Sequence, residues 1–247
     1  MRFIKNYSSL KIKFNPAYLL ILSLLLLSFT SERRYSINEQ FTSLDNWREI
    51  DFGHKEHTTY AISTNSHHSY LKSISNATAT AMLYKHTFNV YETPIIEWRW
   101  QVNNIIKKAN LYKKEGDDFP LAVYILFKYD LKKMGYFEKM SYNTKKMVYG
   151  GEEPPHSTLR FVWSSYKDNN KDIYVTPYQD SGRNYIVEVG EENLGKWIVE
   201  KENIIEAYKK AFGENPPSMA TIGFMNDSDN TKESAISFLD YIQVYED

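Results

Sequence analysis

The stretch GDDFPLAVYILF, residues 116–127, decides the fold class of this chain. After the glycine and the two aspartates, apolar side chains occupy every second position to the end of the stretch. Because successive side chains of a strand point to opposite faces, this alternation predicts a β-strand with one wholly apolar face that begins at Phe119. Pro120 has no N–H to donate and belongs near the beginning of the strand. Asp117 and Asp118 are therefore predicted at the mouth of a core strand.

A second strand, Ile95–Val102, alternates even more regularly between apolar and polar side chains. One face carries Trp98 and Trp100 and is predicted to be buried, while the other carries Arg99 and is predicted to be wet. The tryptophans belong either to the core or to a ligand platform on the concave face of a sandwich.

Shorter runs of β-type residues separated by turn residues continue along the chain. They predict strands at 58–63, 69–75, 159–163, 174–177, 185–189, 197–201, 219–225 and 235–245. The resulting fold class is mainly β, a two-sheet antiparallel β-sandwich of the jelly-roll type.

One helix is predicted near residues 204–212. Asn203 is a suitable N-cap with Glu206 as its capping-box partner, and Gly213 suits the left-handed position after the last turn. Residues 128–157 form a long insertion that ends in glycines and prolines, and we expect a loop there.

Composition excludes several classes of protein. The chain has 247 residues, a formal net charge of −1 and no cysteine. The absence of cysteine excludes disulfides, thiolate catalysis and cysteine-ligated zinc. The near-neutral charge argues against nucleic acid as a partner, because such binders rely on a basic field.

Residues 1–31 read as a targeting segment, with a basic beginning followed by an apolar run at 17–29. About 13 apolar residues are fewer than the roughly 20 that span a bilayer, so a signal peptide is favoured over an uncleaved anchor. We therefore expect a single exported domain at 32–247, periplasmic or extracellular. Membrane contact is expected only through an uncleaved N-terminal segment.

The closing strand contains an acid at an unexpected place. Asp240 is predicted to share a face with Phe238, Ile242 and Val244. An acid on an apolar face needs a partner or a metal ion. Calcium is the predicted ion because the available ligands are oxygens, and a backbone contact or a bulge that turns Asp240 outward is the alternative.

Several motifs in a fixed order resemble the exported bacterial family catalogued as domain of unknown function 3047. They are Trp98-Arg99-Trp100, Gly116-Asp117-Asp118-Phe119, Trp163, Trp197, Phe212-Gly213, Asp227-x-Asp229-Asn230 and Phe238-x-Asp240-x-Ile242. The resemblance covers roughly residues 41–245 and implies an exported β-sandwich without transferring a catalytic residue. The chain departs from the family pattern at Ala122, where an arginine is usual. The overall pattern is also similar to jelly-roll carbohydrate-binding modules, in which an acid of the closing strand often helps to hold a structural calcium.

The first functional hypothesis is a non-catalytic module that binds a polysaccharide or cell-envelope glycan. Rings would pack on sugar faces, and polar side chains would bond to hydroxyls. The candidate ligand-binding residues are Trp98, Arg99, Trp100, Asp117, Asp118, Arg160, Trp163, Asp227, Asp229 and Asn230. If only wet faces take part, the set becomes Glu97, Arg99, Gln101, Tyr124 and Arg160.

The alternative hypothesis is an enzyme that acts on glycans, a hydrolase or a lyase. A glycosidase needs two carboxyl groups on either side of the scissile bond. An acid from 117–118 would then converge with one from 227–229 in a cleft. Binding alone predicts acids that are dispersed or that coordinate a cation, beside exposed rings along a groove.

Overall fold

A computed structural model describes residues 33–53, 56–66, 68–148, 153–167 and 171–247. Residues 34–247 form one compact unit. The predicted targeting segment at 1–31 lies outside the described residues, so cleavage, anchoring and export stay predictions.

Two β-sheets pack face to face. The smaller sheet has the strand order β12-β7-β14-β4-β3, with β1 paired to the far part of β14. Its strands are β1 (Tyr35–Glu39), β3 (Thr59–Thr64), β4 (Ser69–Asn76), β7 (Ile95–Val102), β12 (Ile198–Asn203) and β14 (Ser234–Tyr245).

The larger sheet has the order β10-β11-β9-β8-β13-β5-β2, with β6 paired to β13. Its strands are β2 (Trp47–Asp51), β5 (Ala79–Tyr84), β6 (Phe88–Asn89), β8 (Phe119–Phe127), β9 (Ser157–Ser164), β10 (Ile173–Thr176), β11 (Gln179–Val189) and β13 (Met219–Asp227). The predicted two-sheet sandwich is confirmed. It is not wholly antiparallel, because β9 and β11 run parallel. The hairpin partner β10 lies between them in sequence and reverses the chain once more.

Aromatic side chains fill the space between the sheets. Trp98 of β7 packs on Phe161 of β9 with ring centroids 5.1 Å apart, and Trp100 packs on Trp163 at 5.6 Å. All four side chains are inaccessible to solvent. Apolar side chains occupy every second position of β7 and β9 because each strand turns one face to this shared core.

One buried amide connects the two sheets through polar contacts. Asn226 of β13 donates from Nδ2 to Ser73 Oγ and to the Ala235 carbonyl, both at 3.2 Å. Its Oδ1 accepts from Ser75 Oγ at 2.7 Å. Because a buried amide is tolerated only when its hydrogen bonds are made, this contact favours one register between β13 and the opposite sheet.

In the part of the chain that the structure describes, two α-helices connect the strands. Helix α2 (Ile204–Phe212) confirms the predicted helix: Asn203 Oδ1 accepts from the N–H groups of Ile205 and Glu206, and Gly213 adopts φ 77°. The prediction of a loop across 128–157 was wrong, because helix α1 (Tyr136–Val148) occupies its middle. The segment YFEKMSYNTKKMV contains no glycine or proline, and the breakers that suggested a loop lie beyond its end.

The edge strand β12 turns a partly buried carboxylate toward the interior. Glu200 pairs directly with Trp98, so both side chains turn to the same, inner face. Burial, with a smaller contribution from Glu188 of the other sheet, raises the pKa of Glu200 to about 7, although the Trp100 indole opposes the shift. The ionised form of Glu200 is therefore disfavoured in the folded state.

We predict that Glu200→Gln removes a loss of stability that develops as pH rises from about 4.5 through 7. Because the folded pKa exceeds the ordinary value of 4.5, the stabilising protonated form is lost as pH rises toward 7. The variant should gain on the order of 1 kcal/mol at pH 8, after allowance for partial exposure, or roughly 2–4 °C in Tm, and nothing at pH 4.5. Thermal melts at both pH values check this, with the exposed Glu191→Gln as the control. Equal Tm shifts at the two pH values would contradict it.

Candidate functional site

Part of the outer face of the larger sheet is apolar, and a charged side chain lies beside this apolar part. Ala122, Val162, Ile186 and Met225 form a buried cluster on this face. Arg160 of β9 emerges beside them, directly opposite Tyr124 of β8 and Asn184 of β11. A guanidinium in such a place needs a counter-ion close by.

Asp117 supplies that charge. Arg160 Nη2 contacts both carboxylate oxygens of Asp117, at 3.1 and 3.0 Å, and both side chains are almost completely buried. Burial raises the pKa of Asp117, although Arg160 and Asn184 oppose the shift. Burial alone would lower the pKa of Arg160, but Asp117 and Tyr124 raise it above its ordinary value, so the guanidinium stays charged. Phe119 lies under the guanidinium, 5.3 Å from ring centroid to Cζ.

A tight turn delivers Asp117 to this position. The 3-10 helix Lys114–Gly116 packs so closely on Asn110 that a Cβ at Gly116 would lie 2.8 Å from the Asn110 nitrogen. The Asn110 N–H also donates to the Gly116 carbonyl at 2.6 Å. The glycine before the two aspartates is therefore required by a close approach of two backbone segments.

Asp118 holds the turn that follows β13. Its two carboxylate oxygens accept the N–H groups of Asn230 at 3.1 Å and Thr231 at 2.7 Å. Tyr178, from the β10–β11 hairpin, donates to Asn230 Oδ1 at 3.2 Å. Two adjacent aspartates thus tie β9 and the 228–231 turn to the mouth of β8.

Three carboxylates converge where these segments meet. Asp118, Asp227 and Asp229 each offer an oxygen, and these oxygens lie within 4.8 Å of one another. Burial raises the pKa of Asp227 well above its ordinary value, and the charges of Asp229, Asp118 and Asp117 add to the rise. Either a proton or a cation would relieve this repulsion. The three oxygens suit a hard cation such as calcium.

A cleft of about 830 Å³ lies above this part of the sheet. The side chains that line it come from the sheet, from the turns at its end and from helix α1. They include Phe52, Asp117, Tyr124, Lys145, Thr158, Arg160, Tyr178, Gln179, Asp227, Asp229 and Asn230. Phe52 and Tyr178 are more than half exposed, whereas Arg160 and Asp227 form a buried floor.

The structure brings together six of the predicted ligand-binding residues. They are Asp117, Asp118, Arg160, Asp227, Asp229 and Asn230, and all except Asp118 line the cleft itself. The interpretation of Trp98, Trp100 and Trp163 as a ligand platform is wrong, because all three are fully buried between the sheets. The alternation of apolar and polar residues around these tryptophans results from burial in the shared core and does not indicate a binding face.

Arg99 and Asp240 lie elsewhere, on the outer face of the smaller sheet. Asp240 was predicted to share a face with Ile242 and Val244, but a bulge between Leu239 and Tyr241 shifts the register. The bulge turns the carboxylate outward, as the alternative interpretation proposed. Asp240 contacts Arg99 Nη1 at 2.8 Å and His68 Nε2 at 3.0 Å.

The predicted wet-face set is divided in the same way. Tyr124 and Arg160 lie at the cleft, whereas Glu97, Arg99 and Gln101 lie on the other sheet. Sequence reasoning missed Phe52, Tyr178 and Lys145. Each lies in a turn or in the insertion, where no alternation of apolar and polar residues indicates which way a side chain points. The local sequence therefore gives no sign that these residues line a cleft.

Three solved structures resemble this one at low identity. The "enzymatically active domain" of tailspike protein 4 of bacteriophage CBA120 has a TM-score of 0.39 at 11% identity, covering 84% of this chain and 20% of that chain. This chain thus spans about a fifth of the tailspike chain that it matches. "Cellulose induced protein, Cip1" has a TM-score of 0.43 at 8% identity, with coverages of 84% and 96%. The metal-free lectin I-B4 of Griffonia simplicifolia has a TM-score of 0.38 at 10% identity, with coverages of 85% and 98%.

The sequence itself places the chain in a family. No curated protein matches it. Residues 45–243, which contain both sheets except β1 and the end of β14, match one family along their whole length. The order of motifs from the paired tryptophans to the closing strand is thereby accounted for, and the chain belongs to the family described as "Protein of unknown function (DUF3047)".

Proposed function

We propose that this chain is a non-catalytic module that binds a glycan in the cleft over its larger sheet. The supporting observation is the composition of that cleft. Phe52 and Tyr178 offer half-exposed rings, and Asp229, Asn230 and Gln179 offer hydrogen-bonding groups around them. Rings that pack on sugar faces beside a few fixed polar groups are the usual means of holding a polyhydroxyl ligand.

The buried floor supports the same proposal. The Arg160–Asp117 pair and the Asp118 contacts fix the polar groups before any ligand arrives. A preformed site loses little conformational entropy on binding. The targeting segment predicted at 1–31 would bring the cleft to a polysaccharide or a cell-envelope glycan, and export of the chain is part of this proposal.

We predict that Tyr178→Ala weakens glycan binding by roughly tenfold, because a ring contact and a hydrogen bond together contribute about 1–2 kcal/mol. A glycan array with residues 34–247 would identify the ligand, and titration calorimetry would give Kd for each variant. Tyr91→Ala is the matched control, since Tyr91 is also half exposed and also donates to a backbone carbonyl, away from the cleft. Equal losses in both variants, or no bound glycan on the array, would contradict the proposal.

Calcium binding stays a prediction, and two positions compete for the ion. At Asp240 both carboxylate oxygens already contact cationic or potentially cationic groups, Arg99 and His68. The carboxylates of Asp118, Asp227 and Asp229 converge and gain from neutralisation. We therefore propose the second position for a calcium ion.

A calcium titration followed by thermal melting tests this position. At a calcium concentration 100-fold above Kd the folded state gains about 2.7 kcal/mol, or roughly 5–10 °C in Tm. Asp229→Asn should abolish the gain, and Asp240→Asn should preserve it. The reverse pattern would assign the ion to Asp240, and no response in the unmodified protein would remove the ion from the proposal.

The convergence of the acids favours a second candidate, an enzyme that acts on glycans. An acid from 117–118 does meet two from 227–229, as catalysis requires. However, both carboxylate oxygens of Asp118 accept hydrogen bonds from backbone N–H groups, and Asp117 forms an ion pair with Arg160. These contacts stabilise the fold, and they explain why the acids converge without a catalytic role. Asp227 is the candidate general acid, because a buried carboxyl with a raised pKa retains its proton.

We predict that the protein does not cleave any glycan that it binds. Incubation of each array-positive glycan with the protein, followed by reducing-end and unsaturated-product assays, checks this. Were products to form, Asp227→Asn should lower the rate by at least about 100-fold while Kd changes little. That result would replace the binding module with an enzyme.

A further inference from the structure

Helix α1 exposes an unusual amount of apolar surface. Tyr136, Phe137 and Met147 are 78%, 80% and 82% exposed, and Met140 is 56% exposed. Leu131, in the preceding turn, is 47% exposed. Soluble domains rarely expose several large apolar side chains together without an interaction that covers them.

The opposite side of the segment is firmly packed. Tyr142 and Met134 are buried, and Tyr142 contacts the ring of Tyr129 edge-on at 5.2 Å. Lys145 donates to Tyr129 Oη at 3.0 Å, and His156 packs on the same ring. Contacts on one side of the helix therefore fix its position, and the apolar residues on its other side stay exposed to solvent.

The exposed apolar residues form one stripe. Tyr136, Met140 and Met147 recur at positions i, i+4 and i+11, which lie on one face of an α-helix, and Phe137 lies beside the first of them. The stripe is about 17 Å long at 1.5 Å per residue. A surface of this shape suits a flat, extended partner.

Charge identifies the kind of partner. Residues 128–148 contain six lysines and two acids, a net charge of +4, in a chain whose total is −1. Lys139 immediately precedes Met140 in the helix, Lys132 follows Leu131 in the preceding turn, and both lysines are exposed. A basic segment with exposed aromatic and methionine side chains on one face is typical of helices that lie in a membrane interface.

We propose that helix α1 docks the domain on the surface of an anionic lipid bilayer. The rings and methionines would enter the boundary between headgroups and acyl chains, and the lysines would contact the headgroups. The proposed attachment is peripheral, through helix α1, which lies along the surface. No helix of the described residues is long and apolar enough to span a bilayer. Lys145 also lines the glycan cleft, so docking would hold the cleft close to the lipid surface.

Vesicle co-sedimentation tests the proposal with residues 34–247, the compact unit that lacks the apolar N-terminal segment. We expect binding to vesicles of equal parts phosphatidylglycerol and phosphatidylcholine, and none to phosphatidylcholine alone. Binding should fall steeply between 0.1 and 0.5 M salt, given a Debye length of about 10 Å at 0.1 M. Lys132→Gln with Lys139→Gln should weaken binding roughly 30-fold, at about 1 kcal/mol per lysine.

The apolar contribution has its own variants and controls. Phe137→Ser with Met147→Ser should weaken binding at least about tenfold, because both side chains would leave the interface. Tyr91→Ser with Val199→Ser removes two exposed apolar residues elsewhere, 49% and 51% exposed, and Lys107→Gln with Lys113→Gln removes two exposed charges elsewhere. Circular dichroism confirms the fold of each variant.

Three outcomes would overturn the proposal. The first is no binding to anionic vesicles, and the second is equal losses in the test and control variants. The third is self-association through the stripe, seen as a dimer in sedimentation that Phe137→Ser with Met147→Ser abolishes while lipid binding is absent. None of these outcomes bears on the glycan cleft, which the array tests separately.

Discussion

The buried ion pair between Arg160 and Asp117 is the constraint on which the site depends. A guanidinium buried on a largely apolar part of a sheet cannot remain there without a counter-ion, and Asp117 of the turn before β8 supplies it. Once that turn is docked, Asp118 lies beside the end of β13 and binds the N–H groups of the following turn. The floor of the cleft and one of its walls are thus consequences of a single electrostatic requirement.

The positions of most strands along the chain could be predicted from the sequence, because in a two-layer sandwich the alternation of side chains along each strand shows which face is buried. Ile95–Val102 was predicted to the residue, and the capped helix Ile204–Phe212 was predicted from its terminal residues. The parallel pairing of β9 with β11 was not, because strand pairing depends on the path of the chain and leaves no mark in either strand.

The faces of individual residues were less predictable, for a reason visible at two places. In β8 a register shift moves Phe119 from the predicted core face to the outer cluster, and in β14 a bulge does the same for Asp240. A bulge adds one residue to a strand, so the positions that face the core change from odd to even, or from even to odd, beyond it. No sequence pattern in either strand indicates where this happens. The site was predicted in part because Asp117, Asp118 and Arg160 stand next to strongly periodic strands, whereas Tyr178 and Phe52 do not.

The bulge in β14 also limits how this domain can change over evolutionary time. The strand has neighbours on both sides, β7 and β4, and β1 pairs with its far part. Adding or removing a residue elsewhere in the strand would reverse the alternation beyond that point, and the affected side chains would exchange core for solvent. Length variation among related sequences is therefore expected to accumulate in the connections, such as the segment around helix α1, while the number of residues between Ser234 and Tyr245 stays constant.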